Sequence, residues 1–514
     1  MGDRLSYIDL GILIAYLAVT VGLGCFFALR KTGTDDFMAG GRSLPGWAVG
    51  LSMFGSYVSS ISFLANPGKS FASNWNAFVF TLATPIAAIV AIKWFVPFYR
   101  RSAEVSAYEH LAHRFGPWAR TYAVVCFLLT QMARTGTIMY LLALAAAPLV
   151  GWKVEAIILL TGAMMILYTI FGGIEAAVWI GVLQSIVLLA GPIICIIVLL
   201  SLVPGGIGAV IAGGAEAGKF SLGSFGPSLE DPTFWVVLMM GLAINLGNFS
   251  VDQSYVQRYI TTPTEREAKR SIAITTLLYV PVAAFFFLIG TTLFVLHAKR
   301  PDLFAGVDAA GSPDRVFPYF ISHVLPVGMS GLVVAAIFAA SMDSTLSSMA
   351  TLSLCDVYKR YVRRGAGERE SLIVLRASTL LWGVLAVTVA LAMTKVRHAL
   401  DVWWEMAGIF SGGMFGLFLL GFLSRATNPA AIAAVLIGIA TILWMTISRW
   451  PSWPDGLGRA ASPFHAFMVP VVGTLVILLA GLLIQKLMGR APATPAVAQA
   501  LPAGDAPVPP GNQL

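Results

Sequence analysis

The sequence predicts an all-α, polytopic membrane protein, and three observations lead to that expectation. Apolar residues make up 58% of the chain and charged residues only 11%, against the roughly 25% charge of an ordinary soluble domain. Mean hydropathy is +0.82. Runs of about 20 apolar residues recur from end to end, each long enough to cross a hydrocarbon core of about 30 Å.

Thirteen such runs are expected to be transmembrane helices. The first seven are Tyr7–Leu29, Trp47–Ser70, Ala77–Phe98, Thr121–Val150, Ala156–Phe171, Ala176–Val203 and Phe234–Gln257. Six more follow as Ile272–Leu296, Gly328–Tyr358, Ala377–Met393, Val402–Leu423, Ala430–Ile447 and Phe464–Ile484. The first run lacks a basic flank and a small-residue cleavage site, so it reads as a retained helix, not a signal peptide. Lys and Arg, Arg258 among them, favour one set of loops by about two to one, which predicts an external N-terminus and a cytoplasmic C-terminus. The net charge of +8 then belongs to a membrane face, and no nucleic-acid surface is needed to explain it.

Residues 1–490 are expected to form one transmembrane domain, because no loop is long enough for a soluble fold. The Pro- and Ala-rich tail 491–514 lacks any hydrophobic periodicity and is expected to be a disordered cytoplasmic segment. Cys25, Cys126, Cys195 and Cys355 are scattered over four runs and form neither a CxxC motif nor a disulfide framework. Nucleophile elbows and P-loops are absent, which argues against a membrane hydrolase or an ATP-driven pump, and no organic cofactor is expected.

Two runs are interrupted near mid-depth. The second reads Phe54-Gly-Ser-Tyr-Val-Ser-Ser-Ile-Ser-Phe63 followed by Asn66-Pro67-Gly68, and the seventh reads Gly241-Leu-Ala-Ile-Asn-Leu-Gly-Asn-Phe-Ser-Val-Asp252. Lying five runs apart, they have opposite orientations, the arrangement of inverted repeats whose broken helices build a midplane site. Each alone could be a kinked helix packed through small residues. In the ninth run Ser341, Ser344, Thr345 and Ser348 stand at i, i+3, i+4 and i+7, and a continuous helix would gather these hydroxyls on one face. Such a face offers neutral oxygens to a hard cation, or else each hydroxyl bonds its own i−4 carbonyl.

Arg134 lies well inside the fourth run. A mid-membrane guanidinium needs a wet cavity or an acidic partner such as Asp252, Asp343 or Glu405, and its planar fork suits a carboxylate. Lys69 and Lys93 are expected to snorkel. His110 and His113, three apart, lack a third metal ligand, and an interfacial helix explains them.

The runs Gly55-Ser-Tyr-Val-Ser-Ser-Ile-Ser-Phe-Leu-Ala-Asn-Pro-Gly-Lys69, Arg134-Thr-Gly-Thr-Ile-Met-Tyr140, Gly172-Gly-Ile-Glu-Ala-Ala-Val-Trp179, Val251-Asp-Gln-Ser-Tyr-Val-Gln-Arg-Tyr259 and Ser341 to Ser348 resemble the sodium:solute symporter family, and within it the branch of bacterial sialic-acid symporters. The resemblance implies a leucine-transporter-type fold of two inverted five-helix repeats, alternating access, and sodium as the coupling ion. It implies a sodium site of Gly55, Val58 and Ser341 carbonyls with Ser344 and Thr345 hydroxyls. For the substrate it implies a carboxylate held by Ser59, Ser62 and Arg134, with Thr81 and Asn245 nearby.

Three positions depart from the family pattern. Gly181 stands where many members carry an acidic ligand of a second sodium site, so that either one sodium ion is coupled or Asp343 supplies the missing charge. Thr81 replaces a substrate-contacting Gln, and Tyr57 a small hydroxyl residue. The expected function is sodium-coupled import of a small organic solute across the cell membrane, a carboxylate or acidic sugar. A neutral sugar or polyol is the alternative, and a transporter-fold sensor a more distant one.

Overall fold

The computed structural model describes residues 6–28, 33–102, 104–308, 313–342, 345–394, 412–450, 453 and 460–489. All regular structure among them is helical. Among the described residues, eight helices are long and apolar enough to cross a membrane: Tyr7–Phe27, Asn76–Ser102, Pro117–Val150, Val154–Leu202, Glu265–Lys299, Glu368–Met393, Asn428–Ile447 and Ala466–Met488. Two sharply bent pairs raise the total to as many as ten.

That total is smaller than the thirteen expected, and three places account for the difference. Val154–Leu202 is one 49-residue element carrying a kink at Gly173, where two separate runs were expected. Met329–Ala339 has only 11 residues, about half of what a span needs. Of the run expected over Val402–Leu423, the described part is the short helix Gly412–Leu423. The tail 491–514, Asp343, Ser344 and Glu405 lie outside the described residues.

Gly173 has φ 55° and ψ −147°, a corner of backbone space that only glycine occupies readily. A Cβ there would lie 2.7 Å from the Phe37 carbonyl oxygen and 2.8 Å from its Cα. Both the dihedral and the space exclude a side chain. Gly173→Ala is therefore expected to cost about 1–3 kcal/mol from backbone strain before any clash, read as a lower melting temperature of the purified protein. Unchanged melting would refute the requirement.

Polar side chains inside the helices mostly satisfy themselves locally. Thr20, Thr161, Thr276 and Thr379 each donate to the carbonyl four residues back, at 2.8–3.0 Å, as hydroxyls in an apolar medium must. The helix Gly46–Tyr57 is wedged between two long neighbours. A Cβ on Gly50 would sit 2.8 Å from the Ser271 carbonyl oxygen of Glu265–Lys299. On the other side, a Cβ on Gly181 would sit 3.0 Å from Ser52 Cα. Small residues thus let three backbones approach closely.

His110 and His113 sit on the short helix Glu109–Phe115 but do not converge. His110 is buried edge-on against Phe98, with ring centroids 4.9 Å apart, and burial pushes its imidazole down to about 4. His113 is exposed and faces Glu104 at 3.2 Å. Glu109 joins Glu104 and His113 within 4.8 Å, supplying the third ligand type that was not expected. Its carboxylate, however, pairs with Arg120 at 3.3 Å, and the trio reads as an ion-pair cluster.

Candidate substrate cavity and ion site

The first broken helix runs Gly46–Tyr57, breaks at Val58 and Ser59, and resumes as Ser60–Ala72 after a bend of 52°. Val58 is extended at φ −94° and ψ 97°. Because the first half ends at Tyr57, the carbonyls of Gly55, Ser56 and Tyr57 lose their i+4 amide partners within the helix. Ser59 caps the second half, its hydroxyl accepting from the Ser62 amide at 3.4 Å. The two hydroxyls are themselves 3.4 Å apart. Both therefore sit at a helix N-terminus, where the dipole favours an anion.

Arg134 meets this break from the helix Pro117–Val150. Its Nη2 donates to the Ser56 carbonyl at 3.2 Å, and the Tyr255 hydroxyl donates to the same oxygen at 3.4 Å. Arg258, buried at 2% exposure, donates to the Ser56 hydroxyl. Arg258, counted among the loop cations, is thus buried within the helix Gln253–Ile260, and two guanidiniums reach one serine beside the break.

A cavity of about 260 Å³ opens here, lined by Ser59, Ser62 and Arg134 as expected, and by Tyr57. Thr81 and Asn245 do not line it. Thr81 is buried and faces the Tyr279 hydroxyl, while the Asn245 amide donates to the carbonyls of Gly241 at 2.8 Å and Phe80 at 3.4 Å. The reason is rotation about the helix axis. Ile244 and Asn248, four apart, both line the cavity, and Asn245, one residue on from Ile244, is turned about 100° away. Asn248 is therefore a cavity residue that the reading of Asn245 missed.

The second broken helix runs Phe234–Ser250 and Gln253–Ile260, bent by 47°. Its break falls at Val251 and Asp252, later than the Gly- and Asn-rich stretch suggested. The Gly247 carbonyl accepts from both the Val251 and Asp252 amides, at 2.9 and 3.1 Å, and closes the first half. Asp252 then caps the second half, accepting from the Ser254 amide at 2.8 Å. Its other oxygen accepts from Gln131 Nε2 at 2.8 Å. Asp252 and Gln131 line the same cavity as Arg134.

A third interruption replaces the continuous hydroxyl stripe. Met329–Ala339 ends, residues 340–342 turn, and the helix resumes at Leu346–Leu352. Ser341 and Thr345 therefore lie on opposite sides of a break, not on one helix face, and Ser344 lies outside the described residues. The Met342 carbonyl accepts from the Tyr168 hydroxyl at 2.6 Å and from Gln184 at 3.2 Å, which holds the turn open. Ser341 donates to its own i−4 carbonyl at 2.9 Å, which leaves its hydroxyl lone pairs and its backbone carbonyl as the oxygens it can offer an ion. The Thr345 hydroxyl lies 3.1 Å from that of Thr135, the neighbour of Arg134. No pattern in the sequence marked Thr135.

Gly181 faces Ser52, whose Oγ would lie 2.4 Å and Cα 3.0 Å from an added Cβ. An acid there would have to push the two helices away from each other. The absence of an acid at Gly181 thus fits a close helix contact.

The family model of the sodium:solute symporter family matches residues 37–438. The chain belongs to that family. This symporter is 33% identical over 487 residues to a sodium/sialic acid symporter of Aliivibrio fischeri, covering 93% of this chain and 92% of the relative. It is similar to the solved structure of a Na⁺-coupled sialic acid symporter in a substrate-bound outward-open state, with 30% identity and a TM-score of 0.86. That likeness covers 95% of this chain and 99% of the other. The nucleobase-cation-symport-1 family transporter Mhp1, at 16% identity and a TM-score of 0.56 over 90% of this chain and 97% of its own, shares the fold. The symporter therefore has the leucine-transporter-type fold, is a multi-pass membrane transporter and not an enzyme, and uses sodium as its coupling ion.

Proposed function

We propose that this symporter imports an organic carboxylate together with sodium, from an external N-terminal side, by alternating access. One observation carries the substrate reading: Arg134 opens on the same cavity as Ser59 and Ser62 at a half-helix N-terminus. A guanidinium, two hydroxyls and a helix N-terminus line one cavity, and a carboxylate suits all of them.

Sodium is read as held by the Gly55, Val58 and Ser341 carbonyls with the Ser344 and Thr345 hydroxyls. The helix end at Tyr57 and the extended Val58 support this, because they free carbonyls beside the first break. Neutral oxygens suit a hard monovalent ion that must also leave. Coupling between the two ligands follows from adjacency. Arg134 touches Ser56 and Thr135 touches Thr345, so sodium and substrate bear on the same turn of one helix and on the same break. A single sodium ion per cycle is the stoichiometry this reading gives, with the Gly181–Ser52 contact leaving no room for an acidic ligand at position 181.

The test is uptake into proteoliposomes of labelled acids and neutral sugars, with and without a sodium gradient. Sodium-dependent uptake of acids with a Hill coefficient near one is expected. Uptake that ignores the gradient would overturn the mechanism, and a coefficient near two the stoichiometry. Asp252 and Gln131 in the cavity wall favour, as the second reading, a neutral polyol; transport of sugars without acids would establish it. Thr345→Ala is expected to raise the sodium concentration at half-saturation about tenfold or more, a loss of about 1.4 kcal/mol, with Thr345→Ser close to the parent. Equal sodium affinity in all three proteins would remove Thr345 from the site.

A further inference from the structure

Besides Arg134, Ser59 and Ser62, the cavity carries many aromatic rings. Rings of Tyr57, Phe80, Phe127, Tyr255, Tyr279 and Phe415 line it, drawn from widely separated helical segments. Tyr57 stands among them, 4.9 Å from the Tyr255 ring centroid and 5.0 Å from that of Tyr279. Two of the three tyrosines spend their hydroxyls on the protein. Tyr255 donates to the Ser56 carbonyl, and Tyr279 faces Thr81 in the interior. What Tyr255 chiefly offers a ligand is ring surface, and the Tyr57 and Tyr279 rings stand beside it.

Several polar groups that could read a sugar are withdrawn or already used, which leaves the Asn248 amide as the main neutral polar group on the wall. Thr81 and Asn245 turn away from the cavity. Gln131 donates to Asp252, whose second oxygen is taken by the Ser254 amide. A polyhydroxylated acid would bring several hydroxyls against this wall, and each one left without a partner costs about 1–3 kcal/mol. A flat apolar body incurs no such cost, and it gains from burial and from ring–ring contact. At about 260 Å³ the cavity is also below the usual range of ligand pockets, which begins at about 300 Å³.

We propose that the preferred substrate is a small single-ring aromatic carboxylate, its carboxylate on Arg134, Ser59 and Ser62 and its ring against the cluster of Tyr57, Tyr255 and Tyr279. This rests on the carboxylate reading of Arg134 given above. It separates this symporter's substrate from the acidic sugar named for its relatives.

The experiment uses the full chain in proteoliposomes with an inward sodium gradient. Labelled benzoate and phenylacetate are the probes, competed by gluconate, sialic acid, benzamide and glucose. Sodium-driven uptake of an aromatic acid is expected, with gluconate and sialic acid weaker competitors by about tenfold or more and benzamide ineffective. Tyr279→Ala is expected to weaken the aromatic acid by about tenfold, while Tyr279→Phe, which keeps the ring, stays close to the parent. A matching loss in Tyr279→Phe would overturn the ring contact. Preferred sodium-dependent uptake of gluconate or sialic acid would overturn the inference and leave the carboxylate reading standing. Uptake of glucose with no acid carried would sink both.

Discussion

Arg134→Ala is expected to lower the affinity for the transported acid by about 10²–10⁴-fold and to bring uptake at low substrate close to background. Two charge-assisted hydrogen bonds are worth about 1.5–3 kcal/mol each, and a forked pair places both on one carboxylate. Arg134→Lys keeps the charge but loses the fork, so an intermediate loss is expected. The same guanidinium holds the Ser56 carbonyl at 3.2 Å, next to the proposed ion ligand Gly55. Both variants are therefore expected to need more sodium for half-maximal uptake. Competition by the amide of the same acid separates the two effects, because an amide lacks the charge that Arg134 reads. Unchanged affinity for the acid in Arg134→Ala would refute the carboxylate assignment.

Much of this architecture is legible in the sequence because a membrane makes composition decisive. Apolar runs mark the helices, and Gly, Ser and Asn at mid-depth mark the two bent ones near Tyr57 and Val251. The exact breaks are not legible in the same way. Asp252 ends one half-helix and caps the next, a role that spacing does not distinguish from a polar helix end. The ninth run misled for a related reason. Ser341, Ser344, Thr345 and Ser348 have perfect helical spacing, but the chain turns at residues 340–342, and the spacing then has no face to describe. Asn245 fails by a rotation of one residue, while Asn248 succeeds. The aromatic wall is illegible for another reason: its rings come from widely separated segments, and only packing brings Tyr57 beside Tyr255 and Tyr279.

Away from the cavity, a buried charge network should show the largest effect on stability. Arg120, in the first turn of Pro117–Val150, bonds Asp356, which is 3% exposed. Ser106 donates to the same Asp356 oxygen at 2.9 Å, and Glu109 lies 3.3 Å from the other face of the guanidinium. The network thus ties the Ser106 loop, the helix Pro117–Val150 and the segment Ser353–Val362 together. Asp356→Leu leaves Arg120 buried with half of its charge uncompensated, and breaking such a pair costs about 3–5 kcal/mol. Arg120→Met leaves Asp356 in the same position. Replacing both removes the two desolvation penalties along with the attraction, and packed apolar pairs often match the ion pair they replace. The double variant Arg120→Met/Asp356→Leu is therefore expected to melt closer to the parent than either single variant, a coupling that a double-mutant cycle on the purified protein measures directly. Additive losses would show that the two side chains act separately, with Ser106 and Glu109 as their true partners.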